Sequence, residues 1–161
     1  MIKIPGRRNR GQLEREHTMK MRESGDAENR IWCDYNIAIL SITGDFSLGE
    51  VPGLLEKLTR TQGFRRSMNS IVDLRTARLS ADTGEINRLA DIFLAHQVER
   101  GHSFRTAVIC SDDFTFGICR MVAVELEAVP IWMKVVRTME EGLVWVQEPE
   151  LPGFGFAIEL C

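Results

Sequence analysis

The chain has 161 residues, 44% of them hydrophobic and 27% charged, which suits one ordinary domain with its own core and excludes wholesale disorder. With 20 basic and 23 acidic residues the net charge is −3, so the basic excess of a nucleic-acid binder is missing, and the apolar runs are too short to span a bilayer. The cysteines, Cys33, Cys110, Cys119 and Cys161, form no C-x-x-C pair and match no zinc or secreted-disulfide spacing.

Residues 1–15 read as a flexible basic leader carrying Lys3, Arg7, Arg8, Arg10 and Arg15, a solvated tail in place of a nucleic-acid arm. No signal peptide is expected, because Pro5, Gly6 and the arginines interrupt the first residues. The domain proper is expected over 16–147. Within it, His17 to Glu23 alternates weakly, as an edge strand would, and Ser24-Gly25-Asp26 signals a turn. Arg30 to Tyr35 and the buried run Ile37 to Thr43 follow, with Asn36 either the turn between two strands or a bend in one long strand.

Ser47-Leu48-Gly49-Glu50 fits a capping box ahead of Val51, Leu54, Leu55 and Leu58 at helical spacing, and Gly63 stops that helix. Ser70 to Leu74 is a short strand. Asp82-Thr83-Gly84-Glu85 caps a second helix with Ile86, Leu89, Ala90 and Phe93 on one face and His96 within it. A strand over Arg105 to Cys110 leads to a helix capped by Ser111, Asp112 or Asp113 and ended by Pro130. Ile131 to Val136 is the last strand, and Thr138-Met139-Glu140-Glu141 caps a last short helix. The tail over 148–161 holds Phe154, Phe156, Ile158 and Leu160. It must pack on its own domain or on a neighbour, and a homodimer is expected on that ground.

Apolar strands alternating with helices imply an α/β fold. We expect a mostly parallel sheet of about five strands with about four helices, and antiparallel strands at its N-terminal edge. Ligands in open α/β sheets gather at the turns after the strands. The chain has no G-x-G-x-x-G, no P-loop and no G-x-S-x-G. His17, His96 and His102 are scattered, and Asp73 has no positioned partner for acid–base work. No catalytic residue, metal or cofactor is therefore expected. Cys110 and Cys119 read as small buried hydrophobes that stand near each other. Ser80, Asp82, Thr83 and Gly84 form a candidate switch turn, because exposed hydroxyls at a helix start sit where an added phosphate meets free N–H groups; plain capping explains them as well.

Several motifs recur in a particular order: Glu28-Asn29-Arg30-Ile31, Ile42-Thr43-Gly44-Asp45-Phe46-Ser47, Gly63 to Asn69, Ile71 to Ala77, Ala107-Val108-Ile109, Phe116 to Met121, and Glu140 to Trp145. This order resembles the SpoIIAA-like, STAS-type family of small bacterial proteins over roughly residues 28–146. The resemblance implies a single SpoIIAA/STAS-like domain, in a fold shared with anti-sigma-factor antagonists and CRAL-TRIO lipid carriers. The antagonists are phosphorylated in an Asp-Ser-Ser/Thr-Gly turn. Asp82-Thr83-Gly84 is similar but shorter, and Glu85 stands where that family has an apolar residue. A non-enzymatic regulatory or scaffold domain working through an unknown protein partner is expected, in a reduced cytoplasmic setting. The alternative is a carrier of a small apolar or lipid ligand, with a pocket near Phe114, Phe116 and Trp132.

Overall fold

A computed structural model describes residues 26–32 and 35–148. The leader over 1–15, the edge strand over 17–23, Cys33, Cys161 and the tail beyond Glu148 lie outside the described residues. β1 (Asp26–Trp32) pairs antiparallel with β2 (Ile37–Ser47). Asn36 stands between them with φ of 53°, a left-handed conformation that asparagine tolerates. The two runs are therefore a hairpin.

Three parallel additions follow. A 3₁₀ turn (Leu48–Glu50) and α1 (Val51–Thr59) lead to β3 (Asn69–Ser80). α2 (Thr83–Ala95) and the short α3 (Gln97–Arg100) lead to β4 (Phe104–Ile109). α4 (Asp113–Glu125) leads to β5 (Ile131–Val136), and α5 (Met139–Gln147) closes the domain. The sheet order is β1-β2-β3-β4-β5, with every pair after the first parallel.

Alternation along each central strand divides the core between the two sheet faces. Ile42, Phe46, Leu74, Leu79, Phe104 and Val108 point toward α2 and α4, meeting Ile86, Leu89, Ile118 and Val122. Ala38 and Leu40 meet Leu58 of α1 on the same face. Ile37, Ile39, Ile71, Ala107 and Ile109 point the other way, under Val146, Leu143 and Trp145 of α5.

Four local expectations are corrected. β3 is longer than expected, running through to Ser80 and pairing Ser47 with Ser80. Its register slips between Ser41/Asp73 and Thr43/Thr76, so β3 carries one extra residue there. Such a bulge breaks the period-two pattern and hides the strand's second half. The Ser47 box opens the 3₁₀ turn before the helix, with Glu50 accepting from the Ser47 N–H at 2.7 Å, and Pro52 stands in the first turn of α1. His96 is at the junction of α2 and α3, not within a helix. α4 ends at Glu125, ahead of a further 3₁₀ turn, well before Pro130.

Candidate functional site

The sheet face beneath α1, α2 and α4 leaves a cavity of about 110 Å³. Its walls are apolar, from Leu40, Ile42 and Val72 on the sheet to Leu54, Leu89 and Val122 on the helices. Arg100, Ser70 and Thr106 are the polar exceptions in that lining, along with the Cys119 thiol. Ser70 and Thr106 are register partners on β3 and β4, and their hydroxyl oxygens are 2.8 Å apart.

Arg100 is 2% exposed. Its Nη2 donates to the Met68 carbonyl at 2.9 Å and to Ser70 Oγ at 3.2 Å. The guanidinium carbon lies 3.5 Å from the centre of the Phe104 ring and 5.5 Å from that of Phe64, which are cation–π distances. Nη1 is buried without a hydrogen-bond partner. No described carboxylate forms an ion pair with Arg100. Burial pulls its pKa down to about 9, still above neutrality, so the group is a cation at pH 7.

Backbone geometry fixes this arginine in place. Gly101 has φ of 87° and Ser67 has φ of 63°. The Ser67 N–H donates to the Arg100 carbonyl at 2.9 Å, and Ser67 Oγ accepts from the His102 N–H at 3.2 Å. A Cβ on Gly101 would collide with Ser67, so only glycine permits these two loops to touch. A second buried arginine, Arg105 on the opposite face, is compensated differently. It donates to the carbonyls of Trp145 at 2.9 Å and Glu148 at 2.6 Å, and lies 3.8 Å from the Glu148 carboxylate.

The aromatic residues expected to line a pocket are elsewhere: Phe114, Phe116 and Trp132 are not part of the cavity wall. Phe114 is 70% exposed, in the first turn of α4. Phe116 is half-buried, with the Arg137 guanidinium 4.0 Å from its ring centre. On β5 the cavity takes Ile131 and Met133, so alternation places Trp132 on the other face with Val136. Arg100 offered no signal in the sequence, because an arginine beside Glu99 in a charged stretch reads as solvated surface.

The Ser80–Gly84 turn is held by a capping box that reaches one residue outside it, Gly49. Asp82 Oδ1 accepts from the Glu85 N–H at 2.7 Å, and Glu85 Oε2 accepts from the Asp82 N–H at 2.9 Å. Glu85 Oε1 also accepts from the Gly49 N–H at 3.2 Å. Glu85 therefore ties the turn after β2 to the turn after β3. Thr83 is exposed at the first position of α2, and Ser80 is the exposed last residue of β3.

Charges at the carboxyl edge of the sheet are neutralised locally. Asp73 accepts from Arg75 Nε at 2.9 Å and Nη2 at 2.7 Å, and the Arg75 side chain holds the Asp73 carboxyl below the usual carboxylate range. Arg137 donates to Asp113 at 2.6 Å and to the Ser111 carbonyl at 3.0 Å. Cys110 and Cys119 are free, buried thiols. Among the described residues no cluster of His, Cys, Asp and Glu is arranged to hold a metal ion, and no helix is long and apolar enough to cross a membrane.

The chain matches no model of a known protein family and no curated protein. A solved structure similar to it is an uncharacterized protein of the DUF3478 family with a SpoIIAA-like fold, from Shewanella loihica PV-4. The identity is 14%, over 76% of this chain and 94% of that one, with a TM-score of 0.48.

Proposed function

We propose that this chain is a non-enzymatic, STAS-like binding domain whose ligand is a small apolar molecule held between the sheet and helices α1, α2 and α4. The observation that carries this reading is the apolar cavity of about 110 Å³ between the sheet and these helices. Native interiors hold few voids larger than a water molecule. An apolar void of about 150 Å³ takes up benzene or xenon, so this one suits a single ring or a short alkyl chain. Native mass spectrometry of the protein purified from its own host tests the reading. The expected result is a retained small mass that is lost on denaturation. Matching native and denatured masses, together with cavity-residue NMR signals unmoved by xenon, would refute it.

A second reading has its own support. Phe114, Met121 and Val124 are 70%, 54% and 66% exposed, and their spacing along α4 sets them on one side of the helix. An apolar stripe of this kind suits a regulatory domain that works through a protein partner. Met121→Glu is then expected to leave the fold unchanged and to abolish recovery of that partner in a pull-down. Recovery of the same proteins by both forms would count against the stripe.

A further inference from the structure

We propose that the cavity's ligand is a small apolar carboxylate whose carboxyl group pairs with Arg100. This rests on the ligand-binding reading above and adds the ligand's charge. Three observations converge. Arg100 belongs to the cavity lining, it is 2% exposed, and its Nη1 has no hydrogen-bond partner. A buried cation without a counterion is costly, whereas a buried cation that is paired and hydrogen-bonded is tolerated. None of the described carboxylates supplies that counterion.

The remaining groups restrict the ligand further. Nη2 is already engaged by Met68 and Ser70, so the free donor capacity is at Nη1, which is itself covered by protein and is reached from the cavity only when the side chains packed over it give way. The guanidinium carbon lies 3.5 Å from the centre of the Phe104 ring, and the side chain is buried. Ser70 and Thr106 share one hydrogen bond, which leaves the pair a further hydroxyl proton to donate to a second carboxylate oxygen. Beyond these groups the walls are aliphatic or aromatic apart from the Cys119 thiol, so the body of the ligand must be hydrocarbon. A free phosphate or a sugar would strand polar atoms against leucines and is disfavoured.

The test uses the full chain at pH 7, titrated calorimetrically with benzoate, hexanoate and toluene. Toluene has nearly the shape of benzoate without its charge. The expected result is that the acids bind at least about tenfold more tightly than toluene, as one charge-assisted hydrogen bond implies. In Arg100→Met, toluene binding is expected to persist while the acids lose about tenfold or more. Acids that bind no better than toluene, or that bind Arg100→Met as they bind the native chain, would overturn the carboxylate proposal and leave the apolar-cavity reading standing. Failure of acids and toluene alike would overturn both. The comparison on the native chain decides the matter if Arg100→Met does not fold.

Discussion

The Sγ atoms of Cys110 and Cys119 lie 3.6 Å apart, one at the end of β4 and the other inside α4. Both thiols are buried, at 0% and 3% exposure. The hydrogen bond with Cys110 and burial together push the Cys119 thiol well above its ordinary value, so its thiolate is suppressed. Because the thiolate is the reacting form, Cys119 is expected to resist an aromatic disulfide reagent in the native protein and to react fully once the chain is denatured. Rapid native labelling of Cys119, read by peptide mass spectrometry, would show that the α4–β4 contact opens readily.

Glu85 holds two backbone N–H groups from different turns, those of Asp82 and Gly49. Glu85→Ala is expected to cost about 1–2 kcal/mol, in the range for losing a charged acceptor to backbone donors. Glu85→Gln, which keeps an acceptor oxygen, should cost less. Urea denaturation measures both. An unchanged midpoint for Glu85→Ala would mean that water replaces the bracket without loss.

Thr83 is exposed at the first position of α2, between Asp82 and Glu85. Added negative charge there is favoured by the helix start and opposed by the two carboxylates. With these effects opposed, Thr83→Glu is expected to melt within a few degrees of the native chain, a shift of well under about 1 kcal/mol. If the turn is a switch, the same substitution removes a partner that Thr83→Ala retains in a pull-down. Equal recovery by both variants, with no phosphate found on Ser80 or Thr83 in cells, would identify the turn as a helix cap alone.

Gly101 combines φ of 87° with close contact against Ser67. Gly101→Ala adds backbone strain to a collision and is expected to destabilise by more than about 2 kcal/mol. It should also weaken ligand uptake, because the residue before it is Arg100. Thermal melting and calorimetry on one preparation would separate the two effects. A variant that melts like the native chain would show that the loops can part at little cost.

The lowered pKa of Asp73 has a defined consequence for acid stability. A carboxylate whose native pKa is depressed contributes stability that is complete above its ordinary value of 3.8 and is lost as pH falls through the lower native value. Asp73→Asn should therefore melt below the native chain at pH 7. The gap should close progressively below pH 3.8 as the native carboxylate takes up its proton. A gap that is constant across that range would assign the loss to packing instead of the Arg75 pair.

Legibility in the sequence varied with the kind of residue involved. Ile37 to Leu40, Ala107 to Ile109 and the Asp82 and Thr138 boxes announced their elements, because period and cap chemistry are local signals. The outer half of β3 did not. The extra residue near Leu74 breaks the alternation, and Arg75, Arg78 and Ser80 then read as turn. Phe114 was misleading because aromatic residues suggest pockets, whereas helix phase alone decides which side of α4 it occupies. Arg100 is the opposite case. Its role depends on Ser67, Met68 and Phe104, and no local pattern marks a cation as buried.

In this sheet spatial order equals chain order, and that governs how the protein emerges from the ribosome. The β1–β2 hairpin can form first, and each later strand then adds to the edge left by its predecessor, so no strand waits for a distant partner to be synthesised. The last helix is the exception. Ile37, Ile39, Ile71, Ala107 and Ile109 share a face covered by α5, and α5 is translated after all of them. At about 5–20 residues per second, that face stays bare for seconds on a nascent chain. The interval during which the polypeptide is most prone to aggregate, or to recruit a chaperone, is therefore set by when α5 leaves the exit tunnel.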